Sequence, residues 1–514
     1  MNLTPGLILG IIALYFLALI SISLLTGRDS SNENFFTARK HSPWYLVAFG
    51  MIGASISGVS FISVPGEVGA GKFGYYQVVL GYLVGYFVIA AVLMPVYYRM
   101  NLVSIYTYLD RRFGVASYKT GSAFFLLSRT IGSALRLYLM AIVLQEFVTK
   151  PLFLQSIQTG LNLSPAAADG QLFFLTVFIT IFLIWTYTFR GGIRTIVFTD
   201  TFQTLFLVSA FVLTAILLAQ YLDLSLVGAF EKVSEGGYSK MFFFEDGWSG
   251  TKTFWKQFLG GAAICIAMSG LDQDIMQKNL TCKNLGEAQK NMFWFSGMLA
   301  LVNLFALFLG AFLFIYAAEK GIEIPTRLVN GELKPATDLL YPTIALQHLP
   351  MIVGVLFVLG IIASTYASSD SALAALTTSF CIDFLNFEKR GAAGENTVGL
   401  RTKVHIGFSF LLLLVVLLFW ILNDRTVIDL VLRLAGYTYG PLLGMFAFGL
   451  LTKRQVWDRL VPVVCIASPL LTYVVNANSQ AWLGGYKFGY ELLIFNGLVT
   501  FLGIWAISKN EKFH

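Results

Sequence analysis

The sequence predicts an all-α, polytopic membrane protein of about thirteen transmembrane helices. Charged residues make up 12% of the chain and hydrophobic residues 57%, where soluble chains carry roughly 25% charged residues. Mean hydropathy is +0.73. Apolar runs near the roughly 20 residues a span requires recur along all 514 residues, not at one end alone. An aromatic content of 15% suits lipid-facing and interfacial positions. This composition excludes a soluble enzyme and a soluble domain on a single anchor. The formal charge of +7 reads as Lys and Arg retained on the cytoplasmic side, not as a nucleic-acid surface.

The spans are expected around Phe16, Ile56, Phe87, Ser133, Thr180, Leu207, Ile264, Leu304, Ile361, Leu412, Gly440, Ile466 and Val499. The first, from about Gly6 to Thr26, lacks a basic leading region and a small-residue cleavage site, so it reads as a span and not a signal peptide. An odd count puts the termini on opposite sides. One set of loops carries Arg28, Arg39 and Lys40; Arg99, Arg111 and Arg112; Arg190 and Arg194; Lys278, Lys283 and Lys290; Lys389, Arg390, Arg401 and Lys403; Lys453 and Arg454; and Lys509 and Lys512. The opposite short loops carry little more than Lys72, Lys150, Arg425 and Lys487. The first set is therefore expected in the cytoplasm, with the N-terminus outside and the C-terminus inside a bacterial-type plasma membrane.

Two spans contain helix-breaking stretches. The second holds "GMIGASISGVSFISVPG" (Gly50–Gly66), with Gly50, Gly53 and Gly58 among its glycines and Ser55, Ser57 and Ser60 among its hydroxyls. The seventh holds "GGAAICIAMSGLDQDIMQ" (Gly260–Gln277), where Asp272 and Asp274 follow Gly270. Interrupted backbone at membrane depth is tolerated only where protein or a water-filled cavity receives the freed groups. The breaks lie five spans apart, as in five-plus-five inverted-repeat transporters that open each repeat with a discontinuous helix. A small-residue packing face is the other reading of Gly50, Gly53, Ser57 and Gly58. No soluble domain or low-complexity linker is evident.

Polar residues at membrane depth mark the candidate site. Asp200 in "GGIRTIVFTDTFQTLF" sits about 9 Å into its helix at 1.5 Å per residue, with Gln203 on the same face. A carboxylate there costs about 2.5–3.5 kcal/mol on insertion scales and requires a cation or a cavity; Arg190 or Arg194 is the alternative partner. In the ninth span, "ASTYASSDSALAALTTS" places Ser364, Ser368 and Ser371 on one helical face beside Asp370. Such oxygens suit sodium, although Ser also serves as helix glue. Arg129 and Arg136, seven residues apart in the fourth span, present planar forks that match a carboxylate. They read either as receptors for an anionic solute or as partners of Asp200, Asp370 or Glu146. Four dispersed cysteines show no redox or metal spacing. Four histidines lie near loops or ends, and no HExxH, GxSxG or Walker pattern appears, so no enzyme is expected.

The segments "GGIRTIVFTDTFQ", "GLDQDIMQKNLTCKNLGEAQK", "SSDSALAALTTSFCIDF" and "LAGYTYGPLLGMFAFGLLTKR" span most of the chain. On these residues the sequence resembles the sodium/solute symporter family, which has a LeuT-type fold. The resemblance implies a ten-helix core over residues 44–455, an extra N-terminal helix and loop over 1–43, and two C-terminal helices over 456–514. It implies a first sodium site at Gly53, Ile56, Ser364, Ala367 and Ser368. Ala367 departs from the pattern, where relatives usually carry Ser; a shift to Ser364 and Thr365 is the alternative pair. A second sodium site is implied at Asp200, Asp370 and Ser371, where two carboxylates would hold a cation or share a proton. The sialic-acid branch implies solute contacts at Ser55, Ser57, Ser60, Gln77 and either Arg129 or Arg136.

The expected activity is sodium-coupled import of a small organic solute by alternating access, with a sugar acid such as sialic acid or another anionic or sugar solute as the cargo. The expected partners are that solute, Na+ and the lipid bilayer, with no nucleic acid and no obligate protein partner. A proton-coupled carrier of the same fold, or a solute-gated sensor or channel, is the alternative.

Overall fold

The computed structural model describes the backbone of residues 5–512 apart from 246, 248, 330, 331, 423 and 424; side chains of 423–435, Arg425 included, lie outside the described residues. Twelve of the thirteen expected centres fall on helices, and the thirteenth, Ile56, falls at a break between two. The helices are α1 Pro5–Thr26; α2 Trp44–Ser55 and α3 Gly58–Gly71; α4 Tyr76–Arg99, α5 Val115–Leu144, α6 Pro165–Thr188 and α7 Ile193–Tyr221; α8 Phe254–Gly270 and α9 Gln273–Asn279; α10 Leu285–Lys320, α11 Met351–Phe384 and α12 Thr397–Leu422; α13 Arg425–Leu451; α14 Val461–Trp482; and α15 Leu492–Ala506. Among the described residues, nine helices are long and apolar enough to cross a membrane, or eleven if each bent pair is one span. The count of thirteen is not reached on that measure. At 15 residues, α15 is about 22 Å long, short of a hydrocarbon core of about 30 Å. Two small antiparallel strand pairs complete the fold: Thr326–Val329 with Glu332–Pro335, and, across α14 and α15, Arg454–Val456 with Ser508–Lys512.

Both expected breaks are present. Helices α2 and α3 meet at 59°, and α8 and α9 at 70°. Ile56 leaves the helical region at φ −87°, ψ 89°. Ser57 then restarts the chain, its Oγ accepting from the Ser60 N–H at 3.4 Å as an N-cap. At the second break Asp272 is the N-cap, accepting from the Asp274 N–H at 2.9 Å.

Glycines set the close approach of helices around these breaks. A Cβ on Gly50 would lie 3.0 Å from the Asp200 Cβ, and one on Gly53 2.4 Å from the Thr204 Oγ1. The small-residue face of α2 therefore packs on α7, and the packing and interrupted-helix readings both hold. On the other side, a Cβ on Gly261 of α8 would stand 2.3 Å from the Val78 carbonyl oxygen of α4. Backbone cannot yield there as a side chain would. Gly261→Leu is expected to lower the melting temperature of the purified protein, with overpacking costing about 1–3 kcal/mol; an unchanged melting curve would contradict this packing.

Candidate functional site

At the Ile56 break, no described residue donates a hydrogen bond to the carbonyls of Gly53, Ala54 or Ile56. At the second break two carbonyls are met by phenols. Tyr97 donates to the Gly270 oxygen and Tyr106 to the Leu271 oxygen, each at 2.9 Å. The two breaks thus differ chemically: phenols meet carbonyls at one, and the other leaves oxygens available. α11 faces the open break. A Cβ on Gly58 would meet the Thr365 Oγ1 at 2.1 Å, and that hydroxyl is buried without a hydrogen-bond partner. Ser364 and Ser368 are fully buried; their hydroxyls donate to the Ile361 and Thr365 carbonyls at 3.0 and 2.9 Å. Each oxygen keeps a lone pair for a cation. Ala367 is buried beside them with no hydroxyl to offer.

Asp200 and Asp370 do not stand as a bare pair of carboxylates. The Lys278 ammonium donates to the Asp200 Oδ2 at 2.6 Å, and both side chains are 1% exposed. This corrects two expectations: Lys278 is not a loop charge, and neither Arg190 nor Arg194 is the partner of Asp200. Arg194 donates instead to the Asn34 Oδ1 at 3.4 Å. The short half-helix α9 turns Lys278 inward only a few residues after the break. Asp370 accepts from the Tyr187 hydroxyl at 2.8 Å. The Asp200 Oδ1, the Asp370 Oδ1, both amide atoms of Gln203 and the Tyr15 hydroxyl are buried without partners. Ser371 donates to the Ala367 carbonyl at 2.9 Å. With both carboxylates ionised, the single ammonium leaves one negative charge uncompensated, beside several unfilled oxygens.

The two arginines separate cleanly. Arg129 pairs with Asp274 and approaches Asp272 at 3.7 Å. Asp272 also accepts from the Tyr439 hydroxyl at 2.5 Å. The partners are therefore the two aspartates of the second break, and not Asp200, Asp370 or Glu146 as the sequence suggested; Glu146 pairs with Lys150 at 3.1 Å. Arg136 is half-buried, and among the described residues it makes no ion pair or hydrogen bond. Gln77 is engaged: its Nε2 donates to the Gly74 and Lys252 carbonyls at 3.2 and 3.1 Å, and its Oε1 accepts from the Phe243 N–H at 3.0 Å. It braces the loop at 243–252 instead of offering a free amide. Ser55 and Ser60 are half-buried, and the Ser57 and Ser60 hydroxyls lie 3.3 Å apart.

The family described as "Sodium:solute symporter family" matches residues 35–457. The chain belongs to that family. Among its relatives, the sodium/sialic acid symporter NanT of Aliivibrio fischeri is 24% identical over 482 residues, covering 92% of this chain and 88% of the relative. The sodium/iodide cotransporter of Homo sapiens is 25% identical over 84% of this chain and 62% of its own. The solved structure of a Na+-coupled sialic acid symporter in a substrate-bound, outward-open state has a TM-score of 0.77 at 17% identity, over 98% of this chain and 99% of that one. The symporter thus has the LeuT-type fold, and sodium is its coupling ion.

Sequence reading missed several groups of the symporter. His405 is not near a loop: it is buried in α12, bridging the hydroxyls of Thr188 at 3.0 Å and Thr377 at 2.9 Å. Asp383 accepts from Tyr118, Ser122 and Ser379 at 2.9, 2.9 and 2.5 Å, tying α11 to α5. The signal available for Lys278 was its i+4 spacing from Asp274 within a half-helix. Breaking a buried pair costs about 3–5 kcal/mol because it strands a charge. Lys278→Met is therefore expected to destabilise the purified symporter by that order, while Lys278→Met combined with Asp200→Asn recovers much of the loss. Equal melting temperatures for the single variant and wild type would remove the pair from the structure.

Proposed function

We propose that this protein imports a small carboxylate-bearing solute, a sugar acid of the sialic acid type, together with sodium by alternating access. One observation carries the reading: the carbonyls of Gly53, Ala54 and Ile56 receive no donor among the described residues at a break packed on the hydroxyl-bearing α11, while phenols meet the Gly270 and Leu271 carbonyls of the second break. Sodium is held by the oxygens of Gly53, Ile56, Ser364 and Ser368, with Thr365 supplying an additional hydroxyl in place of the one that Ala367 lacks. A filled site draws α2 and α3 toward α11 and presents Ser55, Ser57 and Ser60 to the solute. Arg136 receives the carboxylate, since Arg129 is held by Asp272 and Asp274. The moving core is residues 44–455. The N-terminus lies outside and the C-terminus in the cytoplasm, as the basic loops indicate. Each sodium moving down 100 mV supplies about 2.3 kcal/mol.

Proteoliposome uptake of sialic acid is expected to stop when choline replaces sodium; uptake unchanged by that exchange would refute the coupling. Arg136→Gln is expected to weaken solute binding by roughly tenfold or more, as a charge-assisted hydrogen bond contributes about 1.5–3 kcal/mol, with sodium-induced thermal stabilisation retained. Loss of the sodium effect with solute binding intact would reverse the assignment.

The residual negative charge at Asp200, Asp370 and Lys278 supports a second reading for that cluster. Together with Ser371 it takes one further sodium ion or a proton. Uptake driven by an acid-outside pH jump without sodium is the result expected for a proton. Uptake unresponsive to the jump, with a transport rate rising as the square of sodium concentration, is expected for a second sodium.

A further inference from the structure

Away from the transport site, a cavity of about 480 Å³ lies where the end of α1 meets the end of α6. Arg28, Arg190 and Ser30 form its polar wall, and Ile20, Leu24 and Phe189 its apolar wall. Packing brings the two cations there. A Cβ on Gly27 would stand 3.4 Å from the Arg190 Cβ, so the next residue, Arg28, emerges beside Arg190. Among the described residues, neither guanidinium has a carboxylate within ion-pair distance. Asp29, the nearest acid in the chain, turns to Arg39 at 2.8 Å and accepts from the Ser31 N–H at 3.0 Å. The Arg28 and Arg190 side chains are both exposed at the cavity, and an anion between them would relieve the repulsion of like charges.

The flank of the cavity is apolar and outward-facing. Leu17, Leu24 and Leu25 of α1 are 59%, 62% and 66% exposed. Along α6, the rings of Phe178, Phe182, Trp185 and Phe189 stack in series with centroids 6.3, 6.1 and 4.7 Å apart. A soluble anion would use the guanidiniums and leave this flank unused. A basic pocket continuous with hydrocarbon-facing surface matches a charged lipid, and basic pockets between transmembrane helices bind such headgroups.

We propose that this cavity binds one anionic phospholipid, its phosphate between Arg28 and Arg190 and its acyl chains along Leu24 and the α6 rings. The lipid fastens α1, which packs on α6, α7 and α11, to the helix beside it. The inference does not depend on the solute or on sodium coupling; under the orientation proposed above, the lipid belongs to the inner leaflet.

The test uses the full chain in mild detergent, with native mass spectrometry and thermal shift. Phosphatidylglycerol, phosphatidylcholine of the same chains, and inorganic phosphate are the three probes. Wild type is expected to retain phosphatidylglycerol and gain stability from it, and not from the other two. Arg28→Gln with Arg190→Gln is expected to lower phosphatidylglycerol affinity about 25-fold, roughly fivefold for each arginine. Arg28→Lys with Arg190→Lys retains most of the binding, which separates charge loss from misfolding. Equal retention of the two lipids by wild type, unchanged phosphatidylglycerol binding in the glutamine variant, or equal protection by inorganic phosphate would each overturn the proposal. All these readouts are independent of transport.

Discussion

A polypeptide in hydrocarbon must satisfy its own amides and carbonyls, and the architecture of this symporter follows from where it does not. Helix α2 ends at Ser55, and the chain resumes helical form only at Gly58. An unsatisfied backbone group at such depth costs several kcal/mol, so the break persists only because something else meets its oxygens. Small residues make the geometry possible: Gly50 and Gly53 lie against α7, and Gly58 lies against Thr365. The second break shows what the chain does when no such role is required. There, two tyrosine hydroxyls close the exposed carbonyls from inside the protein. The two breaks therefore differ: tyrosine hydroxyls meet carbonyls at one, and no described residue donates to those of Gly53, Ala54 and Ile56 at the other.

Charges obey the same economy. Burying an ion without a partner is prohibitive, and three buried ion pairs cross between elements. Lys278 on α9 holds Asp200 on α7; Arg129 on α5 holds the aspartates at the start of α9; Lys256 lies 3.5 Å from Glu491, with its ammonium over the Tyr486 ring. Each of the first two pairs joins the second broken helix to a neighbouring long one. A movement of α9 must therefore exchange or carry these contacts, which couples the second break to its surroundings through electrostatics and not through packing alone. Arg136, seven residues beyond Arg129, makes no ion pair among the described residues, whereas Arg129 is held by two aspartates.

The segment between α1 and α2 ties the cytoplasmic-facing ends together under the proposed orientation. Asn32 accepts from Arg401 at 2.9 Å and donates to Thr397 at 2.8 Å. Gln277 donates to the Phe36 carbonyl at 2.8 Å, and Arg401 lies over the Phe35 ring at 4.3 Å. Residues that read as loop charges, Arg401 and Lys278 among them, are in fact buried. A count of cations along the chain does not distinguish a solvated residue from one folded inward on a short helix.

Composition and periodicity alone determined that the chain lives in a membrane, that twelve of the expected centres lie on helices, and that the chain breaks at Ile56 and after Gly270. These are local properties: hydrophobic length, glycine and serine density, and N-cap residues act over one or two turns. The location of Asp200, Asp370, Ser364 and Ser368 at depth was equally legible, because depth follows from distance along a helix. Tertiary structure alone decided which charge meets which. Lys278 reaches Asp200 across 78 positions of sequence, and Arg129 reaches Asp272 and Asp274 across more than a hundred. Helical periodicity gives a residue its height and face but not the identity of the helix opposite, and only the packing of glycine-lined surfaces fixed those neighbours.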